Sequence, residues 1–238
     1  MRFAHLVLAL GLLLPAGHAF AWPHEVYPVP KDFTGYRVAA TVAVRDGTAE
    51  LLLDDRITAA NAAKVRTILL GGNAGDPALQ RAIEGDDPRW AVLRFTPRDG
   101  GKADVLVLDQ AIASLAAADI QGDGDPKLEV TIDYLQSHRG RTTFFVHPVA
   151  GKLALVDYVD VAHGYKMEIE LIDADKAWWK QTRSGKAAEF LLVDSRFPDR
   201  TDLLRLHWDG RRWLHTEKTL PPGAVRSAAD FPAADAFP

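Results

Sequence analysis

The sequence predicts a mainly β protein with minor helices. One observation behind this is a succession of short apolar stretches from Trp90 onward, each of strand length and bounded by Gly, Pro or Asp. A second is the pair Asp209-Gly210 set between two alternating stretches, the strongest two-residue hairpin signal. A third is compositional: 47% of the 238 residues are hydrophobic and none is cysteine, so the core must come from packed apolar surface.

The elements follow in chain order. Residues 1–21 have the form of a cleavable secretory signal. Arg2 and His5 precede the apolar run Leu6–Leu14, Pro15 and Gly17 break it, and Ala19-Phe20-Ala21 fits the small-x-small cleavage rule. The run is far shorter than the roughly 20 residues a spanning helix needs. The expected product therefore starts at Trp22, is periplasmic or secreted, and does not span a membrane.

Residues 22–89 are expected to form an α+β segment. Val38, Ala40, Val42 and Val44 share one parity, Asp46-Gly47 supplies a turn, and Leu51-Leu52-Leu53 starts the return strand. Thr58–Leu70 is Ala-rich and helical in pattern, and Asp76-Pro77 opens a second helix with a cap and a first-turn proline. Residues 90–218 form the β-rich region. Its expected strands are Trp90–Phe95, Ala103–Leu108, Leu128–Tyr134, Thr142–His147, Leu153–Val161, Lys166–Ile172 and Glu189–Val193. Ala111–Ala118 is ambiguous between helix and strand, and Asp173–Thr182 has the form of a short capped helix. In the final hairpin Trp208 is expected opposite Arg211 and Leu206 opposite Trp213. The core face there carries Leu204, Leu206, Trp208, Trp213 and His215. Residues 219–238, rich in Pro, Ala and Asp, read as a flexible tail.

Several function classes are disfavoured. With 28 Lys and Arg against 32 Asp and Glu, the formal net charge of −4 argues against nucleic acid as the partner. The absence of Cys excludes thiol catalysis and Cys-ligated zinc. None of the five serines sits in a Gly-x-Ser-x-Gly elbow, and no phosphate loop or dinucleotide fingerprint is present. The histidines after the signal (His24, His138, His147, His163, His207 and His215) have no close ligand spacing, so a zinc centre would have to be assembled from distant residues. Glu168 with Glu170, or Asp157 with Asp160, are candidate acid–base pairs, although alternation on strands favours solvation.

The segment with most chemical content is Asp119-Ile120-Gln121-Gly122-Asp123-Gly124-Asp125-Pro126-Lys127-Leu128. Oxygen-bearing residues alternate through a loop that two glycines allow to turn sharply, a composition suited to calcium. An EF-hand fails, because the twelfth loop position is Val130. The stretch resembles the calcium loop of FG-GAP-type repeats, the blades of integrin-α-like β-propellers, matching at Asp119, Gly122, Asp123, Gly124, Pro126 and Leu128. The resemblance implies partial or small propeller-like repeated sheets, with a β-sandwich or α+β fold as alternatives. It also implies calcium held by Asp119, Gln121, Asp123 and the backbone carbonyl of Asp125. The usual acidic ninth position is Lys127 here, so a lysine-bridged loop without metal and a plain solvated turn between strands are the competing expectations. Weaker echoes at Asp160 and Asp194 would mark further blades.

Trp178 and Trp179 are adjacent, so neither a helix nor a strand buries both on one face, and with Trp208, Arg211 and Arg212 they are the candidate binding residues. Together these features predict a non-enzymatic periplasmic binding protein with a calcium-type loop, docking another envelope or secreted protein. An inhibitor or immunity protein of a cell-wall hydrolase is the specific version. A periplasmic hydrolase with structural calcium and a metal-free structural envelope domain are the alternatives.

Overall fold

Alternation of apolar and polar residues makes strands of most of this chain, and the apolar parity of each strand decides which layer it joins. The computed structural model describes residues 28–69, 71–84, 89–108, 111–134, 140–164, 166–173, 177–184, 187–194, 197–226 and 230. The expected signal segment lies outside them. Strand accounts for 52% and helix for 9%, so the mainly β expectation holds. The three sheets form neither a closed barrel nor a propeller among the described residues.

The first sheet is an antiparallel meander, β1 (Tyr36–Val44), β2 (Gly47–Asp54), β3 (Val92–Pro97) and β4 (Asp104–Val107). Between β2 and β3 lie α1 (Ala62–Leu69) and α2 (Pro77–Glu84), whose Val65, Ile68, Leu79 and Ile83 pack together. Asp76 caps α2 as its sequence predicts, accepting from Leu79 N–H at 3.1 Å. The sheet joins residues 36–54 to residues 92–107, so the expected boundary at 89/90 passes through it. The β1–β2 turn is Arg45-Asp46, and Gly47 is already the first residue of β2. Gly47 is needed for closeness: a Cβ there would lie 2.2 Å from the Thr96 carbonyl oxygen. A register shift between Val38 and Ala40 also breaks the parity expected along β1, leaving Val38 exposed.

The second sheet has the order β11-β7-β6-β5: β11 (Glu170–Asp173), β7 (Gly140–Val149), β6 (Lys127–Tyr134) and β5 (Ala113–Ala118), with β8 (Lys152–Leu155) also pairing with β7. The ambiguous Ala-rich segment is thus strand β5, held by pairing to β6 rather than by helix propensity. This sheet is the middle layer. Leu128, Val130, Ile132, Phe144 and Val146 face the first sheet and meet Leu51, Leu93 and Phe95. Phe145, of opposite parity, faces the third sheet and meets Phe190, Leu206 and Trp213.

The third sheet has the order β10-β9-β15-β14-β13-β12: β10 (Lys166–Glu168), β9 (Asp157–Asp160), β15 (Trp213–Leu220), β14 (Thr201–Trp208), β13 (Ala187–Asp194) and β12 (Ala177–Ser184). The Asp173–Thr182 helix expectation is therefore overturned. Residues 177–184 pair along their whole length with β13 and form the sheet's last strand.

Two apolar stretches expected as single strands each serve two sheets. At Val156 the chain leaves β8 in the second sheet for β9 in the third, and at Ile169 it returns from β10 to β11. The two corners are tied together, with Val156 N–H donating to Phe145 O at 2.9 Å and Ile169 N–H to Val156 O at 2.8 Å. Strands that switch sheets at bends are the corners of stacked β layers. The blade repeats expected from Asp119, Asp160 and Asp194 do not appear, because the strands beside Asp160 and Asp194 lie in one sheet.

The final hairpin has a longer loop than expected. Residues 209–212 form it, with Trp208 opposite Trp213 and Leu206 opposite His215. Asp209 Oδ1 accepts from Arg211 N–H at 2.7 Å and from Arg212 N–H at 2.8 Å, which favours the wider turn. Beyond it, the expected flexible tail begins inside β15, and its next residues are tied down. Val225 is buried against Leu191, Val193 and Leu203, and Gly223 N–H donates to Thr201 Oγ1 at 3.2 Å.

Candidate functional site

The chemistry that the fold assembles lies where β9 and β15 run parallel. Their register sets Trp213 beside Tyr158 and His215 beside Asp160. Residues in register on neighbouring strands share a face, and Glu217, two positions on, shares it too. His215 Nδ1 lies 3.4 Å from Asp160 Oδ2, and His215 Nε2 lies 3.5 Å from Glu217 Oε1. Asp160 and His215 are buried, at 5% and 4% exposure, whereas the Glu217 side chain is 61% exposed. The ring is braced by Tyr158, whose centroid is 5.0 Å away.

Asp160 is fixed from its other side. Its Oδ1 accepts from His163 N–H at 2.9 Å and meets His163 Nδ1 at 3.1 Å. Burial alone would raise the Asp160 carboxyl, but the His163 backbone and ring contacts outweigh it and hold the group below its ordinary value. Both ring nitrogens of His215 are buried without a hydrogen-bond partner, since the flanking carboxylates stand in ion-pair reach without hydrogen-bond alignment. Beside the ring is a cavity of about 40 Å³ lined by Tyr158, Glu170, Leu171, Phe190, Leu192, Leu204, Leu206 and His215.

The acidic loop closes on itself. Asp119 Oδ1 accepts from Gly122 N–H at 2.7 Å and Asp123 N–H at 3.2 Å, while Oδ2 accepts from Gly124 N–H at 3.0 Å. Gly122 and Gly124 take positive φ, as their positions require. Asp123 Oδ1 accepts from Asp125 N–H at 2.9 Å. Lys127, only 4% exposed, donates from Nζ to Asp125 Oδ2 at 3.0 Å, with Arg45 Nε 3.6 Å from the other oxygen. Burial acts to raise the Asp125 carboxyl, but Lys127 overrides it and the group lies below its ordinary value. As folded, this donor set does not fit a calcium shell. Both Asp119 oxygens are turned to backbone N–H groups, and a buried ammonium sits at the position where a ninth acidic ligand would be.

The candidate binding residues are not brought into one patch. Trp178 and Trp179 are registered opposite Val193 and Leu192 on β12, and their side chains lie outside the described residues. Trp208 is half-buried and packs on Trp213 with ring centroids 5.8 Å apart. Arg211 and Arg212 are exposed in the hairpin loop, at the other end of the sheet from Trp178 and Trp179. Among the remaining histidines, His147 and His207 are half-buried and both are lowered from their ordinary values. Burial is the first cause in each, aided by Lys127 at His147 and by Arg205 at His207. His24 and His138 lie outside the described residues.

Sequence spacing could not have paired Asp160 with His215, because a parallel contact between distant strands leaves no local signal. The usable hint was a histidine on the core face of the final hairpin. No family profile, curated protein or solved structure matches the chain.

Proposed function

We propose that the protein is an exported binding protein that captures another envelope or secreted protein through the open edge of its third sheet. The observation that carries this is the position of β12. It ends the sheet, so one side of its backbone has no partner strand among the described residues, and its sequence carries the adjacent Trp178 and Trp179. A sheet edge accepts a further extended segment through main-chain hydrogen bonds, and tryptophans are enriched among the contacts that dominate binding energy. An inhibitor or immunity protein of a cell-wall hydrolase is the specific version suggested by the expected compartment. On this proposal the Asp119 loop is a lysine-bridged clasp that fixes the turn into β6, and calcium has no part in capture.

A periplasmic hydrolase is the weaker alternative. Its support is the Asp160–His215 pair, but the adjoining cavity of about 40 Å³ is small against the roughly 300–1,000 Å³ of a ligand pocket. The test is affinity capture from an envelope extract with the wild type, Trp178→Ala and Trp179→Ala proteins, with folding checked by circular dichroism. The expected result is a protein retained by the wild type and lost from at least one folded variant. Equal retention by all three would remove the proposal.

A further inference from the structure

We propose that His215, Asp160 and Glu217 form a binding site for one zinc-class divalent cation, open to solvent on the Glu217 side. The site stands independently of partner capture. Its first support is geometric: one ligand atom from each of the three residues lies within 4.8 Å of the others. The second is the state of His215, which is nine-tenths buried with neither ring nitrogen hydrogen-bonded. Buried polar atoms are nearly always partnered, so the orphaned Nδ1 facing Asp160 Oδ2 points to an ion that completes it.

The separations fit a metal better than a hydrogen bond. The 3.4 Å between His215 Nδ1 and Asp160 Oδ2 matches the edge of about 3.4 Å in a tetrahedral shell built on ~2.0–2.1 Å bonds. That pair is buried and fixed, because the His163 contacts hold Asp160 Oδ1 and leave Oδ2 turned to the ring. Glu217 is the movable third ligand. Closing the shell draws it inward from a separation of at most 4.8 Å, which its exposed side chain allows. A fourth position stays open to water.

The donor set selects the class of ion. One imidazole and two carboxylates with no sulfur suit zinc and its neighbours, whereas calcium and magnesium favour all-oxygen shells. The Tyr158 ring against His215 supplies the apolar wall that keeps the imidazole in place.

The test uses tag-free, full-length mature protein titrated calorimetrically with zinc, calcium and magnesium chlorides. Cobalt(II) absorption reports the geometry of the shell. The expected result is one saturable equivalent of zinc per chain and a visible cobalt spectrum of tetrahedral intensity. At a hundredfold excess over Kd, zinc should raise Tm by roughly 5–10 °C, and magnesium should not. Glu217→Gln, at an exposed position, should melt like the wild type without zinc and bind zinc at least tenfold more weakly. Asp160→Asn should abolish the cobalt spectrum. Absence of stoichiometric zinc binding overturns the proposal, as does undiminished affinity in Glu217→Gln. The latter decides alone if Asp160→Asn does not fold.

Discussion

Replacing Lys127 by methionine tests the lysine clasp directly. Methionine keeps most of the apolar stem and removes the ammonium, leaving Asp125 with the exposed Arg45 at 3.6 Å and the weaker influence of His147. Breaking a fully buried pair by removing one partner costs about 3–5 kcal/mol. Asp125 lies at the loop surface and keeps part of its hydration, so about 2 kcal/mol is expected here. With a urea m-value of ~3 kcal/mol/M, the midpoint should fall by roughly 0.7 M. Asn at 125 in the Lys127→Met background should recover at least half of that loss, because no uncompensated carboxylate then remains. The Asp125 carboxyl is lowered from 3.8 in the folded protein, so its contribution is present above that value and lost as pH falls through the folded pKa. The gap between wild type and Lys127→Met should therefore persist at pH 7 and close on acidification below pH 3.8. A midpoint unchanged by the substitution, or a gap indifferent to acid, refutes the reasoning. So does a calcium-induced rise in wild-type Tm that Asp119→Asn abolishes.

Two other outcomes follow from the same structure. His147 and His207 are both lowered by burial, so the unfolded chain binds more protons than the folded one just below the ordinary imidazole value, and stability should fall as pH drops through about 6.5. Equilibrium urea curves from pH 8 to 5 should show that slope, and His147→Gln or His207→Gln should flatten it. Gly47→Ala should cost about 1–3 kcal/mol by the same urea assay, since the added methyl would sit 2.2 Å from the Thr96 carbonyl oxygen.

What could be read from the residues alone was local. The stretch at 127–134 became a strand with one apolar parity to bury, Leu128, Val130 and Ile132, whereas those at 92–97 and 187–194 are short apolar runs that bury side chains on both faces. The final hairpin is instructive: its loop is two residues longer than expected, and of the expected core face Leu206, Trp213 and His215 are buried while Leu204 and Trp208 are half-buried and Leu203, of the other parity, is buried as well. A two-residue difference preserves parity, so Leu206, Trp213 and His215 remain inward while every pairing partner changes. Ala113–Ala118 was ambiguous and Asp173–Thr182 had the form of a short capped helix, and pairing with β6 and β13 made residues 113–118 and 177–184 strand. The corners at Val156 and Ile169 were illegible, since an apolar run looks the same whether it stays in one sheet or changes layers. The Asp119 loop was recognisable as a glycine-bent turn. That its Asp119 oxygens accept from the Gly122, Asp123 and Gly124 N–H groups, and that Lys127 is buried against Asp125, was not legible, because the packed layers set the burial of Lys127.

The placement of β15 governs how the molecule comes together. The last strand among the described residues is central in its sheet, wedged between β9 and β14. A ribosome or translocon that delivers the chain from its N-terminus must release everything through Leu220 before that seat is filled. Until then β9 and β10 wait with an open flank and Asp160 lacks His215 beside it. Assembly of the third layer therefore waits until residues 213–220 have been made, long after β9 and β10.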